Sequence, residues 1–227
     1  DLSTTTLKIN VANQTVTGGV GSESDTSVLE AALSFGSNPT SNEEVATGTL
    51  TGMGGAGGYT FTAGNFTGAY GTLVINTDGS YTYTLTSAPD VNPGNNGNNV
   101  QASESFSFQV TDTDGNSGNG TLVIDIVDDV PTAKADVASV DEGSTVTGNV
   151  VTGVGIGSMA DIFGADGANV SAVVGVKAGD DTSTSASGSV GTALTGTYGV
   201  LTLNADGSYS YKSTANAISA DAVDTFT

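Results

Sequence analysis

Tyr70-Gly71-Thr72-Leu73-Val74-Ile75-Asn76-Thr77-Asp78-Gly79-Ser80-Tyr81-Thr82-Tyr83 is the stretch that decides the fold class. Leu73 and Ile75, then Tyr81 and Tyr83, stand at alternate positions with Val or Thr between them. A period of two places alternate side chains on opposite faces of a strand, one buried and one wet. Between the two runs lies Asn76-Thr77-Asp78-Gly79-Ser80, and its Asp-Gly pair supplies the positive φ that a short hairpin needs. The stretch therefore reads as two antiparallel strands and their turn.

The same alternation recurs outward from it. Phe106, Phe108 and Val110 form one set, and Leu122, Ile124 and Ile126 another, with Thr121 and Asp125 on the opposite face. Short, half-buried strands punctuated by Gly, Asn and Asp are the pattern of an antiparallel β-sandwich. Helical periodicity is weak. Only Val28-Leu29-Glu30-Ala31-Ala32-Leu33 offers a turn or two of helix, and it reads equally as an edge strand.

The deciding stretch also repeats. Tyr198-Gly199-Val200-Leu201-Thr202-Leu203-Asn204-Ala205-Asp206-Gly207-Ser208-Tyr209-Ser210-Tyr211 matches it at a spacing of 199 − 71 = 128 residues. Further on, Glu104-Ser105-Phe106-Ser107 matches Asp224-Thr225-Phe226-Thr227 at 224 − 104 = 120, so the second copy has a shorter loop where the first carries Pro89 to Asn99. Thr6-Leu7-Lys8-Ile9-Asn10-Val11 resembles Thr121-Leu122-Val123-Ile124-Asp125-Ile126. The expected organisation is residues 1–11 as the last strand of a preceding repeat or a donor strand, 12–129 as a first sandwich, and 130–227 as a second sandwich lacking its final strand. Pro131, in Asp128-Asp129-Val130-Pro131, holds its neighbours extended and makes the joint short and stiff.

Composition narrows the function. The chain has 24 Asp plus Glu against 4 Lys plus Arg, a net charge of −20. The four basic residues are Lys8, Lys134, Lys177 and Lys212, too scattered to make the basic patch that nucleic acid or an anionic membrane requires. No apolar run approaches the length of a membrane span, and no charged-then-apolar leader opens the chain. There is no Cys to cross-link an extracellular domain, so acidic residues with calcium are the obvious staple. There is also no His, no Trp and no Gly-rich Lys loop. The commonest general base, the strongest nucleophile, the phosphate cradle and an aromatic-lined glycosidase cleft are thus missing, and the chain reads as no enzyme.

The pattern Tyr-Gly-x-Leu-x-Leu/Ile-Asn-x-Asp-Gly-Ser-Tyr-x-Tyr, followed by Phe106-x-Phe108-x-Val110-Thr111-Asp112-x-Asp114-Gly115 and a strand ending Asp128-Asp129-Val130-Pro131, resembles the VCBS and related immunoglobulin- or cadherin-like repeats of bacterial RTX adhesins exported by type I secretion. The resemblance covers about residues 66–136 and 197–227 and leaves 12–65 without a family motif. It implies tandem immunoglobulin-like β-sandwiches, calcium at the domain junctions, a secreted or bacterial cell-surface location, and neighbouring repeats of the same protein as partners.

Two acidic clusters are the candidate calcium ligands. Asp112 and Asp114, with Asn116, place oxygens at alternate positions around Gly115, although Val123 stands where an EF-hand would carry its Glu. The other reading of this segment is a plain turn. Asp128 and Asp129, with Asp136, Asp141 and Glu142 across the joint, form the second cluster, where adjacent like charges favour a neutralising cation; a solvated acidic linker is the alternative. Asp112 or Asp114 could sit at the same sandwich pole as Asp128, which would make the two clusters one site. The metal candidates are therefore Asp112, Asp114, Asp128, Asp129, Asp136 and Glu142. Asp78 and Asp206 read as turn residues. The functional expectation is an adhesive extender module stiffened by calcium. Its alternatives are a filament subunit that donates residues 2–11 to another copy, and a module that binds a host or biofilm glycan or protein.

Overall fold

The Asp78-Gly79 hairpin forms as its sequence requires. Strands β6 (Gly71–Ile75) and β7 (Ser80–Leu85) pair antiparallel, with Leu73 opposite Tyr83 and Ile75 opposite Tyr81. All four of these side chains are buried. The computed structural model describes residues 14–89, 100–155, 157–167 and 171–227. The proposed donor strand 2–11 and most of the Pro89–Asn99 loop lie outside the described residues. Among the described residues the chain is all-β, and no helix is long and apolar enough to cross a membrane.

The chain divides into two units. The first extends, among the described residues, to Asp128; the second comprises Asp129–Thr227 together with Phe35–Ser37. In the first unit, β6 and β7 belong to a five-stranded sheet with β1 (Val16–Val20), β3 (Val45–Gly54) and β5 (Gly64–Thr67), in the order β1-β3-β7-β6-β5. A four-stranded sheet faces it, with β2 (Ser27–Leu29), β9 (Ser117–Val127), β8 (Val100–Thr111) and β4 (Thr60–Phe61) in that order. Its inward residues are the alternating ones: Phe106, Phe108 and Val110 on β8, and Leu122, Ile124 and Ile126 on β9. The Phe61 and Phe108 rings lie 6.1 Å apart, and those of Tyr83 and Phe106 5.9 Å. Packed aromatic pairs and buried aliphatics of this kind are what make two sheets one core.

Val28–Leu33 resolves as strand followed by helix. Ser27–Leu29 pairs in parallel with β9, and Glu30–Ala32 then makes one 3-10 turn. Six residues cannot sustain an α-helix alone, and the parallel ladder takes the first two, Val28 and Leu29.

The second unit holds one four-stranded sheet: β10 (Thr145–Asn149), β13 (Ser208–Ser213), β12 (Gly199–Leu203) and β11 (Ala193–Thr195), in the order β10-β13-β12-β11. This copies β3-β7-β6-β5 of the first unit, down to a glycine opposite a tyrosine: Gly48 faces Tyr81 and Gly148 faces Tyr209. Val176, Leu201, Leu203 and Tyr209 form its core, with Phe226 packed against them. Facing the sheet, the chain at Lys177–Gly179 exchanges backbone hydrogen bonds with Thr225–Thr227. That is pairing by isolated bridges; among the described residues it does not amount to a second regular sheet.

Candidate functional site

The Asp112 segment is built as a hairpin turn. In Asn76–Ser80, Asn204–Ser208 and Asp112–Asn116 alike, the first residue's N–H donates to the last residue's carbonyl, at 2.9, 2.8 and 2.9 Å. In each, the glycine N–H returns to the first carbonyl, and Gly79, Gly207 and Gly115 have φ of 88°, 81° and 84°. This is a type I turn closed by a left-handed glycine. The Asp112 carboxylate fills the turn's remaining donors. It accepts from the Asp114 and Asn116 N–H groups (3.0 and 2.8 Å), the Ala56 N–H (2.9 Å) and the Asn116 side-chain amide (3.0 Å). The Asn116 amide and the Ala56 N–H are the main causes holding its carboxyl below the usual carboxylate range. Asp114 is exposed.

Asp112 and Asp128 do not share a pole. Asp112 follows β8 at the β8–β9 turn, and Asp128 follows β9 at the opposite end of the ladder. The 11 residues of β9 lie between them, and at about 3.3 Å each they span roughly 35 Å. A long β8–β9 hairpin is the physical reason; the sequence placed both clusters near strand ends but left open which ends.

Asp128 instead meets a residue that sequence reasoning passed over. The parallel β2–β9 register runs Ser27↔Asp125, Val28↔Ile126, Leu29↔Val127. One step further sets Glu30 alongside Asp128, and carboxylate oxygens of the two approach within 4.8 Å. Glu30 is 0% exposed and Asp128 7%. Two carboxylates buried this close repel each other unless one is protonated or a cation neutralises them. Nothing local in Leu29-Glu30-Ala31 marks this glutamate; only a pairing across 98 residues of sequence does.

The remaining candidates lie in the second unit and do not converge with one another on one point. Asp129 is buried and accepts the Ser37 N–H at 2.7 Å and hydroxyl at 2.5 Å. Asp136 has one carboxylate oxygen buried without a hydrogen-bond partner, and burial, with the nearby Asp161 charge, pushes its carboxyl up. Asp161 accepts the Lys134 N–H at 2.7 Å. Glu142 takes the Ala217 and Ile218 N–H groups, at 3.0 and 2.6 Å, one on each oxygen.

A different acidic residue recurs at the equivalent place in each repeat. Glu104 accepts the Ala69 and Tyr70 N–H groups and the Tyr83 hydroxyl. Asp224 accepts the Thr197 and Tyr198 N–H groups and the Tyr211 hydroxyl. The spacings are those of the sequence repeat. The Glu104–Asp224 match was legible as a repeat, but its role as a carboxylate clasp was not.

No family model matches the chain, so the resemblance to VCBS and immunoglobulin-like repeats gains no support from that side. The chain is similar to the calcium-binding lectin RapA2 of Rhizobium johnstonii, at 34% identity over 152 residues. The match covers 65% of this chain and 58% of that protein, so the chain spans less than two-thirds of the relative's length.

Proposed function

We propose that this chain is an adhesive, calcium-binding module of a secreted bacterial surface protein, built from tandem immunoglobulin-like repeats. The observation that carries the reading is the Glu30–Asp128 pair, two buried carboxylates brought into register by the parallel β2–β9 ladder. Calcium takes roughly six to eight oxygens, with backbone carbonyls and water completing what carboxylates begin. The donor set suits that ion: hard oxygens, with no Cys or His in the chain to favour a softer metal. Similarity to a calcium-binding lectin supports the same reading. Bound there, calcium would neutralise the pair and tie the end of β2 to the end of β9. Asp129 and Asp136 remain further candidates on the other side of the joint.

Titrating calcium into the chelator-treated chain by isothermal calorimetry tests this. Binding heat with a raised melting temperature, both lost in Asp128→Asn, is the expected result. Absence of heat and of any melting shift overturns it. A second reading, carbohydrate binding, is favoured over a purely spacing role because the relative is a lectin.

A further inference from the structure

Thr62, Phe66, Ser107, Gln109, Asn119 and Thr121 line an open groove of about 450 Å³ on the first unit. No charged residue lines it, in a chain with 24 carboxylates. Its floor is the outer face of the β8–β9 ladder, where Ser107 stands opposite Thr121 and Gln109 opposite Asn119. All four side chains are exposed, because Phe108 between Ser107 and Gln109 turns inward. Gly120, opposite Phe108, belongs to the inward face and leaves room there for the Phe108 ring. A Cβ there would come within 2.4 Å of the Phe108 ring and 2.8 Å of the Gly18 backbone. The wall is the chain that crosses from β4 to β5. Thr62 is pinned along β8 by its N–H to the Gln109 carbonyl at 3.1 Å. Phe66, on edge strand β5, is half-buried, so part of its ring faces the groove.

We infer that this groove binds an uncharged saccharide, seated on the Phe66 ring and hydrogen-bonded by Ser107, Gln109, Asn119 and Thr121. The inference deepens the carbohydrate reading and rests on it. A pyranose presents hydroxyls that both donate and accept, together with an apolar C–H face. The groove answers with hydroxyl and amide groups that do both, beside one aromatic surface. Its volume lies within the range of small-ligand sites. Charge selects among sugars: no cation stands in the lining to receive a carboxylate, sulfate or phosphate, and a net charge of −20 repels anions. A peptide added as a strand is disfavoured, since β8 and β9 already pair with each other across the floor. The groove contains no carboxylate, so the sugar is held by direct hydrogen bonds and not through a metal.

The test is an amide-resolved NMR titration of the full chain with cellobiose, maltose and lactose, and with cellobiuronic acid as the charged counterpart. At least one neutral sugar is expected to shift the Gln109 and Asn119 side-chain amides. Phe66→Ala should weaken that binding about tenfold, and Phe66→Tyr should preserve it. Asn119→Ala, at an exposed position, provides a loss-of-binding variant with an unchanged melting temperature. The inference is overturned if none of the three neutral sugars shifts these amides, if cellobiuronic acid binds more tightly, or if a chelator abolishes binding while the chain stays folded. Calorimetry with calcium separates the two failures. Calcium heat without groove shifts leaves the metal reading intact, and groove shifts without calcium heat leave the saccharide site intact.

Discussion

The Tyr83 hydroxyl donates to Glu104 at 2.5 Å in a fully buried position, and Tyr211 donates to Asp224 at 2.6 Å at the equivalent place in the second unit. Each pair joins a central strand of its own unit's sheet, β7 or β13, to the segment facing it, with two backbone N–H groups completing the carboxylate. Tyr83→Phe removes a donor from a buried carboxylate. The expected cost is about 1–3 kcal/mol, read from the denaturant midpoint. Tyr211→Phe should cost less, since Tyr211 is only partly buried and water can replace the lost donor. Equal costs would show that the two clasps are not graded by burial.

The hairpin glycines give a second prediction. Gly79, Gly207 and Gly115 share one left-handed conformation, but their surroundings differ. A Cβ at Gly79 would meet the Phe61 ring at 2.6 Å, and one at Gly207 the Val151 methyl at 2.4 Å. At Gly115 nothing lies within 4 Å. Gly115→Ala should therefore cost only the conformational strain, about 1 kcal/mol, and Gly79→Ala clearly more. Thermal melts of the three alanine variants check the order.

The clasps and turns also set a pH profile. Burial pushes the Asp224 carboxyl up, but the Tyr211 hydroxyl and the N–H groups of Tyr198 and Thr197 outweigh it, so its pKa lies below the ordinary value. Asp112, Asp78 and Asp206 are likewise lowered by their turn hydrogen bonds. A lowered carboxyl contributes stability that is complete above its unfolded pKa of about 4 and is lost as pH falls through the folded value. The tyrosines act in the opposite direction. Burial, then the Asp224 carboxylate, pushes Tyr211 up to about 12. Burial, then Glu104, raises Tyr83 as well. Their contribution is complete below about pH 10 and lost as pH rises toward 12 and beyond. Denaturation midpoints should thus hold level across neutral pH and fall below about 4 and above about 10.

What the sequence disclosed follows the range of each interaction. The alternation of Leu73, Ile75, Tyr81 and Tyr83 and the Asp-Gly turns are local signals, and both gave the right strands and the right φ at Gly79 and Gly207. The 128-residue repeat reappears as matching strand orders in the two units, orders that the sequence pattern did not itself specify. Asp112 was harder. Acidic residues around a glycine supply calcium loops and hairpin turns equally, and only the hydrogen bonds from Ala56 and Asn116 show which donors its carboxylate serves. Glu30 was invisible, because its partner is fixed by a parallel register between distant segments.

That register yields the most discriminating metal prediction. If calcium sits at Glu30–Asp128, then Glu30→Gln and Asp128→Asn each remove one charged ligand and should weaken calcium binding by an order of magnitude or more. Without calcium the same substitutions relieve repulsion between two buried carboxylates, so the chelated variants should melt no lower than the chelated parent. Asp112→Asn should behave in the opposite way on both counts. It keeps one carbonyl oxygen but replaces the other, which accepts the Ala56 N–H and the Asn116 side-chain amide, with a donor, lowering stability with or without calcium, and leaves calcium affinity unchanged, because Asp112 lies at the far end of β9 from Asp128. The decisive measurement is the pair of melting curves, with calcium and with chelator, for each variant. A calcium-dependent stabilisation that survives Asp128→Asn but disappears in Asp112→Asn would move the site to the hairpin turn.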